Sequence, residues 1–130
     1  MPHQPQNPAM QECIETCFDC YRTCQQMALM HCLPLGGKHV EPEHFRIMLD
    51  CAEICRTTAA LMLNGSPFHT QICAVCAEIC RACAESCEGL EGMQGCAQTC
   101  RRCSQSCEQM AGNVGDGSAR QAQPAQRRPQ

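Results

Sequence analysis

The stretch CAVCAEICRACAESC, residues 73–87, decides the fold. Its cysteines stand at 73, 76, 80, 83 and 87, so the steps between them alternate three and four. Such steps keep side chains on one stripe of an α-helix, the stripe that ordinarily carries Leu, Ile or Val in a bundle. The residues between are mostly Ala, Glu and Arg, which favour helix. Upstream, the same count reaches His69. Downstream, CAQTCRRCSQSC at 96–107 repeats it through Cys96, Cys100, Cys103 and Cys107, with Met93 and Met110 in phase at its ends. Nearer the amino terminus Cys13, Cys17, Cys20 and Cys24 continue to Met27 and His31, with Met10 in phase before them. A thinner stripe carries His44, Met48, Cys51, Cys55, Thr58 and Met62. Cys32 alone among the sixteen cysteines steps off phase, beside His31.

Turn residues divide these stripes into four helices. The first is expected from about Met10 to Cys32, before Pro34 and the Gly36-Gly37 pair, with Leu33 to Glu41 as a loop. Pro42 suits the first turn of a second helix running to Leu63. In Asn64-Gly65-Ser66-Pro67, Asn-Gly ends that helix, while Ser66 and Pro67 suit the cap and first turn of a third, which stops at Gly89. The fourth runs from about Glu91 to Ala111. Residues 1–9 read as a frayed lead, and residues 113–130, rich in Gly, Gln, Pro and Arg, as a disordered tail. Four helices of about twenty residues on short links predict an all-α, antiparallel up-down-up-down four-helix bundle over residues 10–112, with a cysteine-lined core.

Composition narrows the chemistry. Sixteen cysteines in 130 residues, with no Trp, one Tyr and three Phe, is far from an ordinary globular balance. A net charge of −3 leaves no basic surplus for nucleic acid. No run of 18 apolar residues suggests a membrane span. The segment MPHQPQNPAMQEC lacks the basic and apolar regions of a signal peptide, so a cytoplasmic location is expected. There thiols stay reduced, and metal binding or redox work outweighs a disulfide framework.

Geometry sharpens the choice. Residues one turn apart have Cβ atoms about 5–6 Å apart, whereas a disulfide wants about 3.8 Å. Two metal–sulfur bonds of about 2.3 Å span the wider gap. The recurrent pair is C-x-x-x-C: Cys13/Cys17, Cys20/Cys24, Cys51/Cys55, Cys76/Cys80, Cys83/Cys87, Cys96/Cys100 and Cys103/Cys107. Plain packing would favour Leu or Ile, which bury far more apolar area. Thiolates select Cu(I), zinc or iron–sulfur clusters. The C-x2-C-x2-C run of ferredoxins is missing, and the C-x2-C pairs here have no turn residue inside. Divalent zinc at four thiolates per ion would leave buried negative charge, which is costly. Cu(I) at about one ion per cysteine is neutral.

The stripe ends carry softer and intermediate ligands. In an antiparallel bundle Met27, His31, His44, Met48 and Met93 meet at one mouth, with Cys32 and Met30 nearby, and suit sites that feed copper inward. Met10, Met62, His69 and Met110 gather at the other. His3 and His39 read as bystanders. Ile14, Phe18, Ile47, Ile54, Leu61, Ile72, Val75 and Ile79 recur on flanking faces that seal helices together, and Arg81, Arg101 and Arg102 read as a solvated outer face with pairs such as Glu78 with Arg81.

The repeated C-x-x-x-C pairs, above all CAVCAEICRACAESC and CAQTCRRCSQSC, resemble the bacterial copper storage proteins of the cytosolic subfamily over about residues 10–112. The resemblance implies a four-helix bundle whose interior cysteines hold many Cu(I) ions, and an assembly of four bundles. Carried over by position, Cys13, Cys17, Cys20, Cys24, Cys51, Cys55, Cys73, Cys76, Cys80, Cys83, Cys87, Cys96, Cys100, Cys103 and Cys107 are ligands, and the off-phase Cys32 is counted with them. The second helix departs from the richest members, offering only Cys51 and Cys55. The reading is therefore a homotetrameric store or buffer of Cu(I), for detoxification or later supply, fed by small thiols or a copper chaperone, and not an enzyme. Its rivals are a cysteine-based redox sensor or sink, a zinc-binding helical protein, and a disulfide-stapled exported protein.

Overall fold

The computed structural model describes residues 8–112, and all of its long elements are helices. They are α1 (Pro8–Met27), α2 (Pro42–Leu63), α3 (His69–Glu88) and α4 (Gln94–Gly112). In space α1 lies beside α2 and α4, and α3 beside α2 and α4, with α3 and α4 in the most extensive contact. That is the expected four-helix bundle. The lead and tail fall outside the described residues, apart from Pro8 and Ala9, which already belong to α1.

The chain between α1 and α2 is more ordered than a loop. Ala28–Cys32 is a π-helical turn, Leu33–Leu35 a further helical turn and Gly37–Val40 a 3-10 turn. The widened turn is closed by the Leu33 N–H on the Ala28 carbonyl. It sits just ahead of Pro34, which has no N–H to give the helix and whose ring crowds the carbonyl four residues back.

The other boundaries follow local chemistry. Pro42 opens α2 as expected, after an extended Glu41. At its end Gly65 N donates to Met62 O (3.1 Å) and Ser66 N to Leu61 O (3.0 Å), the paired bonds of a Schellman stop. The start of α3 lies at His69, two residues later than expected: Ser66 Oγ accepts from Phe68 N (3.1 Å) and so closes a turn before the helix. The start of α4 moves from Glu91 to Gln94 because Gly92 takes a positive φ of 81°, outside helical space.

Every cysteine is buried and none is in a disulfide. Much of the sealing beside the sulfur falls to small residues: Ala28, Ala52, Ala59, Ala77, Ala84 and Ala97 are buried, and Ser104 Oγ donates to the Ala77 carbonyl (3.0 Å) across α3 and α4. Short side chains let the helix axes approach, as close sulfur contacts between helices require. Ile14 is buried and Ile47, Ile54 and Ile79 pack partly against the core, whereas Phe18 and Val75 are exposed rather than sealing. On the outer face Arg81 reaches Glu108 on α4 (3.2 Å) rather than following the expected pairing with Glu78, Arg101 pairs with Glu88 and Arg102 with Asp19 (3.6 Å). Pairs three apart occur at Asp19/Arg22 and Glu53/Arg56.

Candidate metal centre

Because cysteines recur every three or four residues, each helix turns its thiols toward the bundle axis. Four groups of sulfurs have all members within 4.8 Å of one another: Cys13/Cys73/Cys107, Cys17/Cys76/Cys103/Cys107, Cys20/Cys55/Cys80/Cys103 and Cys20/Cys24/Cys51/Cys100. The first two share Cys107, the next two share Cys103, and the last two share Cys20. The groups therefore form one continuous column.

Two close pairs lie one turn apart on one helix, Cys20/Cys24 at 3.9 Å and Cys76/Cys80 at 3.8 Å. The shortest contacts run between helices instead: Cys24 to Cys100 at 3.5 Å, Cys55 to Cys80 at 3.5 Å and Cys17 to Cys107 at 3.6 Å. All exceed by far the ~2.05 Å of a disulfide and lie within the ~4.6 Å that a bridging metal spans. The C-x-x-x-C repeat places sulfur on the axis, but the bridgeable neighbours come mainly from the adjoining helix.

Protonation within the column is uneven. Hydrogen bonds with Cys107 and Cys17 pull the Cys103 thiol down, while Cys103, Cys13 and Cys17 hold Cys107 up. At Cys73 the bond from Cys107 pulls down, but Cys13 and burial outweigh it and the thiol is pushed up to about 12. A soft cation can take the place of these thiol protons.

Beyond Cys24 the column changes character. Cys96 lies 3.9 Å from Cys24 and 4.0 Å from Cys87, and Met48 Sδ stands 3.4 Å from Cys87 and 3.7 Å from Cys83. Cys32 Sγ sits 3.8 Å from both His44 Nε2 and Met93 Sδ. Sequence periodicity put Cys32 off the stripe and put Met27 and His31 on it. The structure reverses this: Ala28 and Cys32 are fully buried, and Met27 and His31 are half-buried. The π turn carries an extra residue per turn, so the inward positions after Cys24 become 28 and 32 instead of 27 and 31. The break in helical period hides the inward position of Cys32 from the sequence, and Pro34 is its visible sign.

His31 packs instead against the turn before α4. Its ring meets His39 edge-on at 5.4 Å, and a Cβ at Gly92 would stand 3.0 Å from its Nε2, a buried atom with no hydrogen-bond partner. His39, expected as a bystander, holds the Glu91 carbonyl through Nε2 at 3.0 Å. His44 is buried, with Nδ1 2.6 Å from Ser86 Oγ. Burial lowers its pKa, and burial raises that of Cys32, with help from Cys96 and Cys83. At the far end Met62 and Met110 are buried, and His69 Nδ1 lies 2.9 Å from the Ser66 carbonyl.

A helical tube with this sulfur column has known counterparts. The model of the copper storage protein family matches residues 6–112. The chain belongs to the copper storage protein family. Among solved copper storage proteins, the Cu(I)-bound BsCsp3 of Bacillus subtilis is 35% identical, covering 79% of this chain and 98% of that one with a TM-score of 0.73. A cytosolic copper storage protein from Streptomyces lividans, solved with five coppers, is 30% identical over 82% of this chain and 95% of that one, with a TM-score of 0.69. The Nmul_A1745 protein of Nitrosospira multiformis is more similar, at 55% identity and a TM-score of 0.82 over 83% of this chain and 99% of that one. Among the described residues no helix is long and apolar enough to cross a membrane.

Proposed function

We propose that this protein is a cytosolic store of Cu(I), held by thiolates inside the bundle at about one ion per cysteine. The observation that carries this reading is the unbroken column of sulfur groups sharing Cys107, Cys103 and Cys20, all buried and none in a disulfide. Each ion replaces one thiol proton: the S–H bond breaks, a copper–sulfur bond forms, the proton leaves to solvent, and no electron is transferred. The core cysteines serve as the ligands. Cys32, His44, Met48 and Met93 receive the ion, and it moves inward by exchange between sulfurs less than about 4 Å apart. Membership of the family, a Cu(I)-bound relative in Bacillus and a cytosolic one in Streptomyces support cargo and location alike.

The protein acts as a store rather than a catalyst, as a homotetramer fed by small thiols or a copper chaperone. Uniform burial counts against a redox sensor, which needs an exposed reactive thiol beside a resolving partner. Anaerobic titration with Cu(I), followed by metal analysis of the isolated complex, is expected to reach about sixteen ions per chain with the thiols consumed together. Saturation at one to four ions would overturn the reading.

A further inference from the structure

The geometry points to Ser86 as a positioning residue that fixes His44 as the nitrogen donor of the copper door. This rests on the storage reading above and adds a part to it. His44 lies at the start of α2 and Ser86 near the end of α3, so the contact between them is a tertiary one. The Ser86 Oγ to His44 Nδ1 distance is 2.6 Å, and on the far side of the same ring Nε2 faces Cys32 Sγ at 3.8 Å. A neutral imidazole carries its proton on one nitrogen and a lone pair on the other. With Ser86 accepting the Nδ1 proton, the lone pair on Nε2 is directed at Cys32, and Cys32 in turn lies 3.8 Å from Met93 Sδ. A histidine that binds metal is regularly held by such a bond from its other nitrogen, and loss of that partner costs about 10–100-fold in affinity or activity.

The pair also occupies a junction. His44 and Ser86 both line an outer groove of about 640 Å³ between α2 and α3, together with Glu41, Glu43, Asp50 and Glu85. Lys38 and Arg46 line it too, leaving an acidic excess that favours a cation at the surface. His44 therefore borders both an acid-rimmed groove and the sulfur interior. Ser86 is the polar group that holds it across that wall.

The test follows transfer of Cu(I) from a coloured chelator, under anaerobic conditions and with copper well below the thiol concentration. Ser86→Ala is expected to slow uptake on the order of tenfold, with the copper number in a separate saturating titration and the helical circular dichroism unchanged, and Ser86→Thr to restore most of the rate. In a His44→Ala background Ser86→Ala is expected to add nothing. Uptake by Ser86→Ala at the native rate, or an equal slowing whether or not His44 is present, would overturn the assignment. A reading on the native apo-protein is independent of how the variants fold: the ¹⁵N imidazole spectrum should place the His44 proton on Nδ1, and a proton on Nε2 would refute it. Failure of the native chain to take up copper at all would instead sink the storage reading, and this role with it.

Discussion

The two ends of the sulfur column are built from the same residue types and differ in what those residues are free to do. At the α1–α2 end, Cys32, His44, Met48 and Met93 turn their donor atoms toward one another or toward the column, and His44 also borders an outer groove. At the other end, which holds the Cys13/Cys73/Cys107 group, Met62 and Met110 are buried, and the His69 imidazole is engaged with the Ser66 carbonyl in the turn that begins α3. One end is arranged as a door and the other as a plug. A histidine or methionine at the end of a stripe is therefore ambiguous until its second contact is known.

The largest expected effect is one of stability, and it is shared by the two ends because Met48 and Met62 are both fully buried. Met62→Ala opens a void in the fully buried plug and is expected to cost about 2–5 kcal/mol in unfolding of the apo-protein. Met48→Leu at the door keeps nearly the same volume and should cost less than about 1.5 kcal/mol. A loss for Met62→Ala no larger than that for Met48→Leu would show that Met62 is not packed into the core. Next comes the rate of uptake: His44→Ala should slow Cu(I) transfer at least about tenfold, and His69→Ala should leave it unchanged. If both variants slow alike, copper enters from either end.

A smaller effect tests the packing of the door. Gly92→Ala places a Cβ in the left-handed region and against His31, and should cost about 1–2 kcal/mol, read as a lowered thermal midpoint. The smallest change within the ordinary working range is with pH. Cys73 in the plug and Cys32 at the door both have thiol pKa values raised above their unfolded value. The stability due to the neutral thiols is fully present below about pH 8.5 and is lost as pH rises toward the raised values, so the apo-protein should unfold more easily in alkali. Copper uptake should run the other way and tighten with pH, because each ion displaces a proton. An apo-protein that stabilises between pH 8 and 10 would contradict the raised values.

Much of this was legible along the chain. Steps of three and four put Cys73, Cys76, Cys80, Cys83 and Cys87 on one stripe whatever their neighbours do, because the period is a property of the helix alone. Asn64-Gly65 marked the end of α2 for an equally local reason. The inward place of Cys32 was not legible, because a π turn ahead of Pro34 changes the period within four residues, and it moved Met27 and His31 off the stripe at the same time. Nor were the shortest sulfur contacts, such as Cys24 with Cys100 and Cys55 with Cys80, since nothing along one helix states how close the next one lies.

The sequence by itself determined that four helices would form and that each would bear a sulfur face, because backbone period and side-chain type are both written locally. Tertiary structure alone decided which thiols become neighbours, that Cys32 joins His44 and Met93, and that Ser86 reaches His44. Those depend on distances between helix axes, set by buried alanines and by one widened turn, and such distances are sums over the whole packed bundle.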